Sequence, residues 1–271
     1  MSTALKRRSR PPAALLLLAL LAGTFLLLPL IGIIIRAPWG DLRRTITEPV
    51  VQQAFGVSLI ASTGALVACL LVGVPLAWVL ARVDFPGRSL VRGLVLVPMV
   101  LPPVVGGVAL LLAFGPRGML GQTFELMGVT IPFTTAATVM AATFVSLPFL
   151  VLTVEAAFGS VDERYEDVAE TLGGSGWHVF RTVTVPLCRP AIFSGATLAW
   201  ARALGEFGAT ITFAGSIAGV TQTMPLAVYE VLPTRPDDAL TLSLLLLAIS
   251  ATVIVLLRSH WLGPLRTVSQ Q

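Results

Sequence analysis

ERYEDVAETLGGSGWHVFRTVTVP, residues Glu163–Pro186, is the longest polar interval between the hydrophobic runs of this 271-residue chain. Its polarity is patterned. Tyr165, Val168, Ala169 and Leu172 recur at i, i+3, i+4 and i+7, which places them on one face of a short amphipathic helix. Gly173-Gly174 is expected to end that helix, because glycine enters the left-handed C-cap conformation without a Cβ clash. Ser175 is placed to cap a second short helix carrying Trp177, Val179, Phe180 and Val183, which Pro186 is expected to stop. Two short helices bent at glycine, with apolar side chains left outward, have the form of a plug for a soluble partner. An amphipathic loop lying in a membrane interface fits the same pattern.

The flanks of this interval are apolar enough to settle the class of protein. Hydrophobic residues make up 55% of the chain and charged residues 12%, against roughly 25% charged in a soluble domain. The mean hydropathy is +0.88. Six apolar runs predict six membrane helices: Ala13–Ile35, Phe55–Leu80, Leu90–Phe114, Thr134–Ala157, Leu187–Ala214 and Ala239–Leu257. The basic start, Lys6-Arg7-Arg8-Ser9-Arg10, precedes a run too long for a signal-peptide core, so the first run is read as an uncleaved membrane helix. The organisation expected is a basic N-terminal segment over 1–12, a membrane body over 13–257 and a tail over 258–271.

Lys and Arg orient the helices. With the N-terminus inside, the inner segments hold Lys6, Arg7, Arg8, Arg10, Arg82, Arg88, Arg92, Arg164, Arg181, Arg189, Arg258 and Arg266, twelve in all. The outer segments hold five: Arg36, Arg43, Arg44, Arg117 and Arg235. Arg202 lies within the fifth run. This bias places both termini and 163–186 in the cytoplasm.

Several functions are excluded by what is missing. A phosphate-binding Walker loop needs a lysine beside its glycines, and the only lysine is Lys6. His178 and His260 have no metal-ligand spacing, Cys69 and Cys188 lie far apart, and no G-x-S-x-G elbow occurs. The formal charge of +4 is scattered over the loops, which argues against a nucleic-acid face. No catalysis by this chain and no directly bound cofactor or metal are expected.

Two features lie inside the apolar runs. Pro98, Pro102 and Pro103, followed by Gly106-Gly107, predict a kinked third helix, either a packing device or a bent element beside a pathway. In the fifth run Thr197, Ala201, Gly205 and Ala209 form a small-residue stripe suited to close helix approach. Arg202 and Glu206 stand i, i+4 apart, so each can neutralise the other. A charge in a bilayer is expensive and faces a bundle interior or a wet path. The pair therefore reads as a structural ion pair, as part of an anion's route together with Gly208 and Thr210, or as both.

The interval also carries a resemblance. Asp167-Val168-Ala169, three residues, Gly173, nine residues, then Val183-Thr184-Val185-Pro186 is similar to the EAA loop of ABC-importer permeases, E-A-A-(3)-G-(9)-I-x-L-P. Asp replaces Glu, and valines replace the first Ala, the Ile and the Leu. The literal Glu155-Ala156-Ala157 lacks the downstream spacing. The segments Arg202–Thr210, Phe213-Ala214-Gly215 and Thr221–Tyr229 resemble molybdate-importer permeases; the Leu204-Gly205-Glu206-Phe207-Gly208 core is shared with sulfate importers.

The resemblance implies an all-α membrane protein with the six-helix type I ABC importer permease fold. It implies a homodimer of the permease in the lipid, cytoplasmic ATPase subunits that use the ATP, and a periplasmic or lipid-anchored oxyanion-binding protein. The ATPase-coupling loop would use Asp167, Ala169, Leu172, Gly173, Ser175, Trp177, Phe180 and Pro186. Molybdate or tungstate would be the cargo, with sulfate or another oxyanion as the alternative. A secondary transporter, a membrane-embedded hydrolase and a membrane scaffold are the rival classes.

Overall fold

A computed structural model of the chain describes residues 12–261. Lys6, Arg7, Arg8 and Arg10, and the tail beyond residue 261, lie outside the described residues. Among the described residues every regular element is helical. The first is α1 (Ala13–Arg36), an apolar helix with no buried residue that lies along the flank of the final helix. A short α2 (Leu42–Thr47) leads into α3 (Pro49–Ala68), whose proline sits in the first turn, where no backbone N–H is needed. A π turn over Cys69–Gly73 joins α3 to α4 (Val74–Arg82) in one helix of 34 residues.

The third expected span is broken. α5 (Arg88–Val100) and α6 (Pro103–Phe114) meet at 119°. The residue before a proline is forced into the extended region, and Leu101 adopts φ −63°, ψ 133° before Pro102. Two successive prolines then have no N–H to continue the ladder, so a kink becomes a corner. After α7 (Gly121–Leu126) comes α8 (Thr135–Ser160), capped by the Thr134 hydroxyl, which accepts from the Ala137 amide at 3.2 Å. α9 (Arg164–Thr171) and α10 (Gly176–Val179) form a hairpin. α10 runs through a π turn over Phe180–Thr184 into α11 (Val185–Leu204).

This corrects the expectation that Pro186 stops the helix. In the π turn the Val185 amide reaches back five residues to the Phe180 carbonyl. The wider turn makes room at the point where a proline would otherwise break an α-helix. Pro75 follows the other π turn at the same spacing.

The fifth expected span, Leu187–Ala214, is likewise shorter. α11 ends at Leu204, and a separate helix, α12 (Gly208–Phe213), follows. α13 (Met224–Val231) and α14 (Pro236–Trp261) complete the chain. Among the described residues, four helices are long and apolar enough to cross a membrane, five if the bent pair is one span. α11, interrupted by Arg189, Pro190 and Arg202, is not among the four, although it lies inside the bundle. The short helices α2, α7 and α13 lie in intervals the sequence reading left unassigned.

α8 is the centre of the bundle, packed against α3, α4, α5, α6, α11 and α12. One face buries Leu150, Val151, Val154 and Phe158 against Cys69, Ala77, Leu80 and Cys188. The other end buries Ala137, Ala141 and Val145 against Leu110, Ala209 and Phe213. Small residues let backbones approach where lipid supplies no hydrophobic drive between helices. α6 and α12 approach closely at glycines. A Cβ at Gly107 would lie 2.6 Å from the Ala209 carbonyl oxygen and would overlap the Thr212 hydroxyl. Thr212 in turn donates to the Val104 carbonyl at 3.3 Å.

Gly107→Ala is therefore expected to cost about 1–3 kcal/mol by overpacking. Gly56→Ala in α3, where a Cβ meets nothing within 4 Å, is expected to be neutral or to gain up to about 1 kcal/mol of helix propensity. Thermal unfolding in detergent checks this; equal melting of the two variants would contradict the close approach.

Candidate functional site

The α9–α10 hairpin is built by its glycines. α9 closes in a Schellman motif: the Gly174 amide donates to the Ala169 carbonyl at 3.0 Å and the Gly173 amide to Glu170 at 2.9 Å. Gly173 takes φ +88°, the left-handed region, while the space around it is open. Only the backbone conformation demands glycine there. A Cβ at Gly174 would press on the Ala169 carbonyl oxygen at 2.8 Å. Ser175 then caps α10, its hydroxyl accepting from the His178 amide at 3.4 Å.

The hairpin's amphipathic face points away from the protein. Leu172 is 84% exposed and Trp177 71%, with Tyr165 and Val168 close to 60%. Asp167 and Ser175 are exposed beside them. The side chain turned inward is polar. Glu166 is 16% exposed and lies 3.3 Å from Nε of Arg82, whose side chain is 8% exposed. Glu166 also accepts from the Thr184 hydroxyl at 2.6 Å. Arg82 further pairs with Glu163 at 3.2 Å and donates to the Val161 carbonyl at 3.0 Å.

Aromatic rings root the other limb. Trp177 stacks on Phe180 at 5.5 Å, and Phe180 meets Trp78 edge-on at 5.7 Å and Phe158 at 6.3 Å. The literal Glu155-Ala156-Ala157 lies within α8, where Glu155 binds Arg92 of α5. Arg88 and Arg92 cap the end of α4 by donating to the Leu80 carbonyl, Arg88 at 2.7 Å.

At the break between α11 and α12 the expected ion pair is present, with Arg202 Nη2 2.8 Å from Glu206 Oε2. Glu206 is 2% exposed, and its second oxygen accepts from the Ala209 amide at 2.7 Å. The carboxylate thus caps the start of α12, where amide dipoles favour negative charge. Gly208 is buried against Pro103, and Thr210 is 1% exposed inside the α6–α8–α12 contact. Of these four residues Arg202 is the one that reaches a partly open surface. The Thr221–Ala227 stretch is buried packing, tied to α3 by the Met224 amide donating to the Ser58 hydroxyl at 2.7 Å.

Sequence reading missed Arg82, Glu166 and Thr184. Their separations, 84 and 18 residues, follow no helical or strand period. The one available signal was an arginine closing a helix and an acid-rich first turn of another.

The family described as binding-protein-dependent transport system inner membrane component matches residues 73–265. The chain is 48% identical over 231 residues to the molybdenum transport system permease protein ModB of Mycobacterium tuberculosis, covering 85% of this chain and 88% of that protein. It is 35% identical over 207 residues to the sulfate transport system permease protein CysT of Escherichia coli, covering 75% of each. Among solved structures, a chain of a bacterial ABC transporter involved in the import of the acidic polysaccharide alginate superposes with a TM-score of 0.74. That match covers 91% of this chain and 93% of the other at 18% identity, a likeness of fold.

Removing Arg202 strands a buried carboxylate. Arg202→Met is expected to cost on the order of 2–3 kcal/mol, somewhat below a fully buried pair because the arginine is partly solvated. Adding Glu206→Gln should recover most of this, since the amide oxygen still accepts from Ala209. Melting temperatures of the two variants decide it: a double variant no more stable than the single would show that something other than Arg202 holds Glu206.

Proposed function

We propose that this chain, which belongs to the family of binding-protein-dependent transport system inner membrane components, is the permease subunit of an ATP-driven molybdate importer. The observation that carries the coupling half of this reading is the glycine-bent hairpin. It turns an apolar face outward, uncovered by any of the described residues, at the end of the bundle where Arg82, Arg88 and Arg92 gather. Surface of that kind calls for a protein partner. The positive-inside bias puts this end in the cytoplasm, where an ATPase subunit is found.

In this reading the hairpin seats in the ATPase subunit through Asp167, Ala169, Leu172, Ser175 and Trp177, with Phe180 supporting Trp177 from beneath. Gly173 sets the bend and Pro186 starts the membrane helix. Two copies of the chain face one another in the lipid, and a periplasmic or lipid-anchored binding protein delivers the oxyanion. The ATP is bound and hydrolysed by the partner, and this chain holds no cofactor. Arg202 and Glu206, with Gly208 and Thr210 packed beneath them, border the route. Oxyanion choice rests with the binding protein, which can grip a dianion with many donors, whereas a conduit must let go.

Molybdate is favoured over sulfate by the higher identity to the molybdenum permease. The test is ATP hydrolysis in liposomes by the chain co-purified with its ATPase subunit, challenged with binding protein loaded with molybdate or with sulfate. Stimulation by the molybdate form is expected; stimulation by sulfate alone would move the substrate and keep the mechanism. Gly173→Val is expected to weaken co-purification of the ATPase subunit about tenfold, because a β-branched residue resists positive φ. Undiminished co-purification and transport in that variant would remove the hairpin from the docking site.

A further inference from the structure

A plug transmits movement only if it is joined to what it moves. Within the hairpin, α9 is tied to the bundle by the extended residue Val161 and to α10 by the turn Gly173–Ser175, and both connections could fold like a strap under load, whereas α10 runs on into α11 as continuous helix. The side-chain contacts close this gap. We infer that Arg82, Glu166 and Thr184 form the joint through which movement of α9 reaches α4 and α11, with Arg82 as its positioning residue. This rests on the reading of the hairpin as the ATPase-docking element.

The geometry is that of a ring. Arg82 is the last residue of α4. Its guanidinium reaches Val161 at the end of α8, Glu163 before α9, and Glu166 in the first turn of α9. Glu166 is shared: on its other side it takes the hydroxyl of Thr184, the last residue of the π turn that begins α11. Four elements of the protein thus converge on one carboxylate and one guanidinium. A planar fork with fixed donor directions can hold several acceptors at once, which a lysine ammonium cannot do in the same geometry.

Burial distinguishes this ring from an ordinary surface ion pair. Exposed pairs contribute little and swing freely. Here Arg82 and Glu166 are 8% and 16% exposed, and Thr184 is 1% exposed. Moving the hairpin without the helices would pull charged groups off their partners inside the protein, which is costly. Glu163, at 74% exposed, is peripheral. The aromatic root through Phe180 is separate from the ring and holds the hairpin in place when a single polar bond is removed.

Thr184→Val removes the hydroxyl and keeps the shape; Thr184→Ser keeps the hydroxyl; Arg82→Lys keeps the charge and loses the fork. Each would be purified with the ATPase subunit and reconstituted with molybdate-loaded binding protein, measuring ATP hydrolysed and molybdate taken up in the same vesicles. Thr184→Val and Arg82→Lys should assemble normally and keep hydrolysing ATP. Their ATP consumed per molybdate should rise about tenfold, the factor that corresponds to one hydrogen bond to a charged group. Thr184→Ser should match wild type. Uptake and hydrolysis falling in proportion, or an unchanged ratio, would overturn the joint. A wild-type chain that recruits no ATPase subunit would overturn the docking reading and the joint with it. That result differs from failure of the joint alone, in which wild type and variants couple equally.

Discussion

In hydrocarbon an unpaired backbone amide or carbonyl costs several kcal/mol, so a membrane helix can be interrupted only where a substitute partner is at hand. This chain interrupts its helices repeatedly, and local groups supply part of what the breaks expose. At the α5–α6 corner the Leu101 amide still reaches Val97, and the two residues that follow are prolines with no amide to satisfy. The Val104 carbonyl at the start of α6 takes the Thr212 hydroxyl. At the α11–α12 break, Glu206 supplies the acceptor that the first amides of α12 lack. Before Pro75 and Pro186 the ladder widens into a π turn. The α6–α12 contact follows from two of these substitutions, since corner and break bring Gly107 and Gly208 against their neighbours.

The same constraint explains which parts of the fold were legible in advance. Hydrophobic length reports a segment that crosses and continues, so α1, α8 and α14 fell close to their expected limits. It does not report where a chain turns inside the slab. Pro98, Pro102 and Pro103 announced a disturbance, and the successive prolines account for the 119° corner, but the packing of that corner on α12, more than a hundred residues later, left no mark in the local sequence. Pro186 misled for a related reason. A proline near a helix start and a proline just after a π turn look alike in sequence, and only the bonding of Val185 separates them.

The hairpin was the most legible part of the candidate site, because its determinants are local. A glycine at positive φ, a serine cap and an i, i+3, i+4, i+7 face lie within two dozen residues. The way it is attached was not legible. Amphipathic helices ordinarily lay their apolar face on the protein; α9 gives its apolar face to solvent and its Glu166 to the interior. The inversion is paid for by Arg82, a residue from a different helix, so no pattern within the interval could announce it.

α8 has a geometric consequence of its own. It runs unbroken through Pro148 for 26 residues, a rod of roughly 39 Å at 1.5 Å per residue. One end packs against α6 and α12 and the other against α4, with Phe158 touching the aromatic root of the hairpin. A rod of that length acts as a lever arm. A tilt of about 10° displaces one end by roughly 7 Å relative to the other, more than a helical turn. A small rotation at one end of such a rod is geometrically magnified at the other, and the helices packed along α8 would have to move with it.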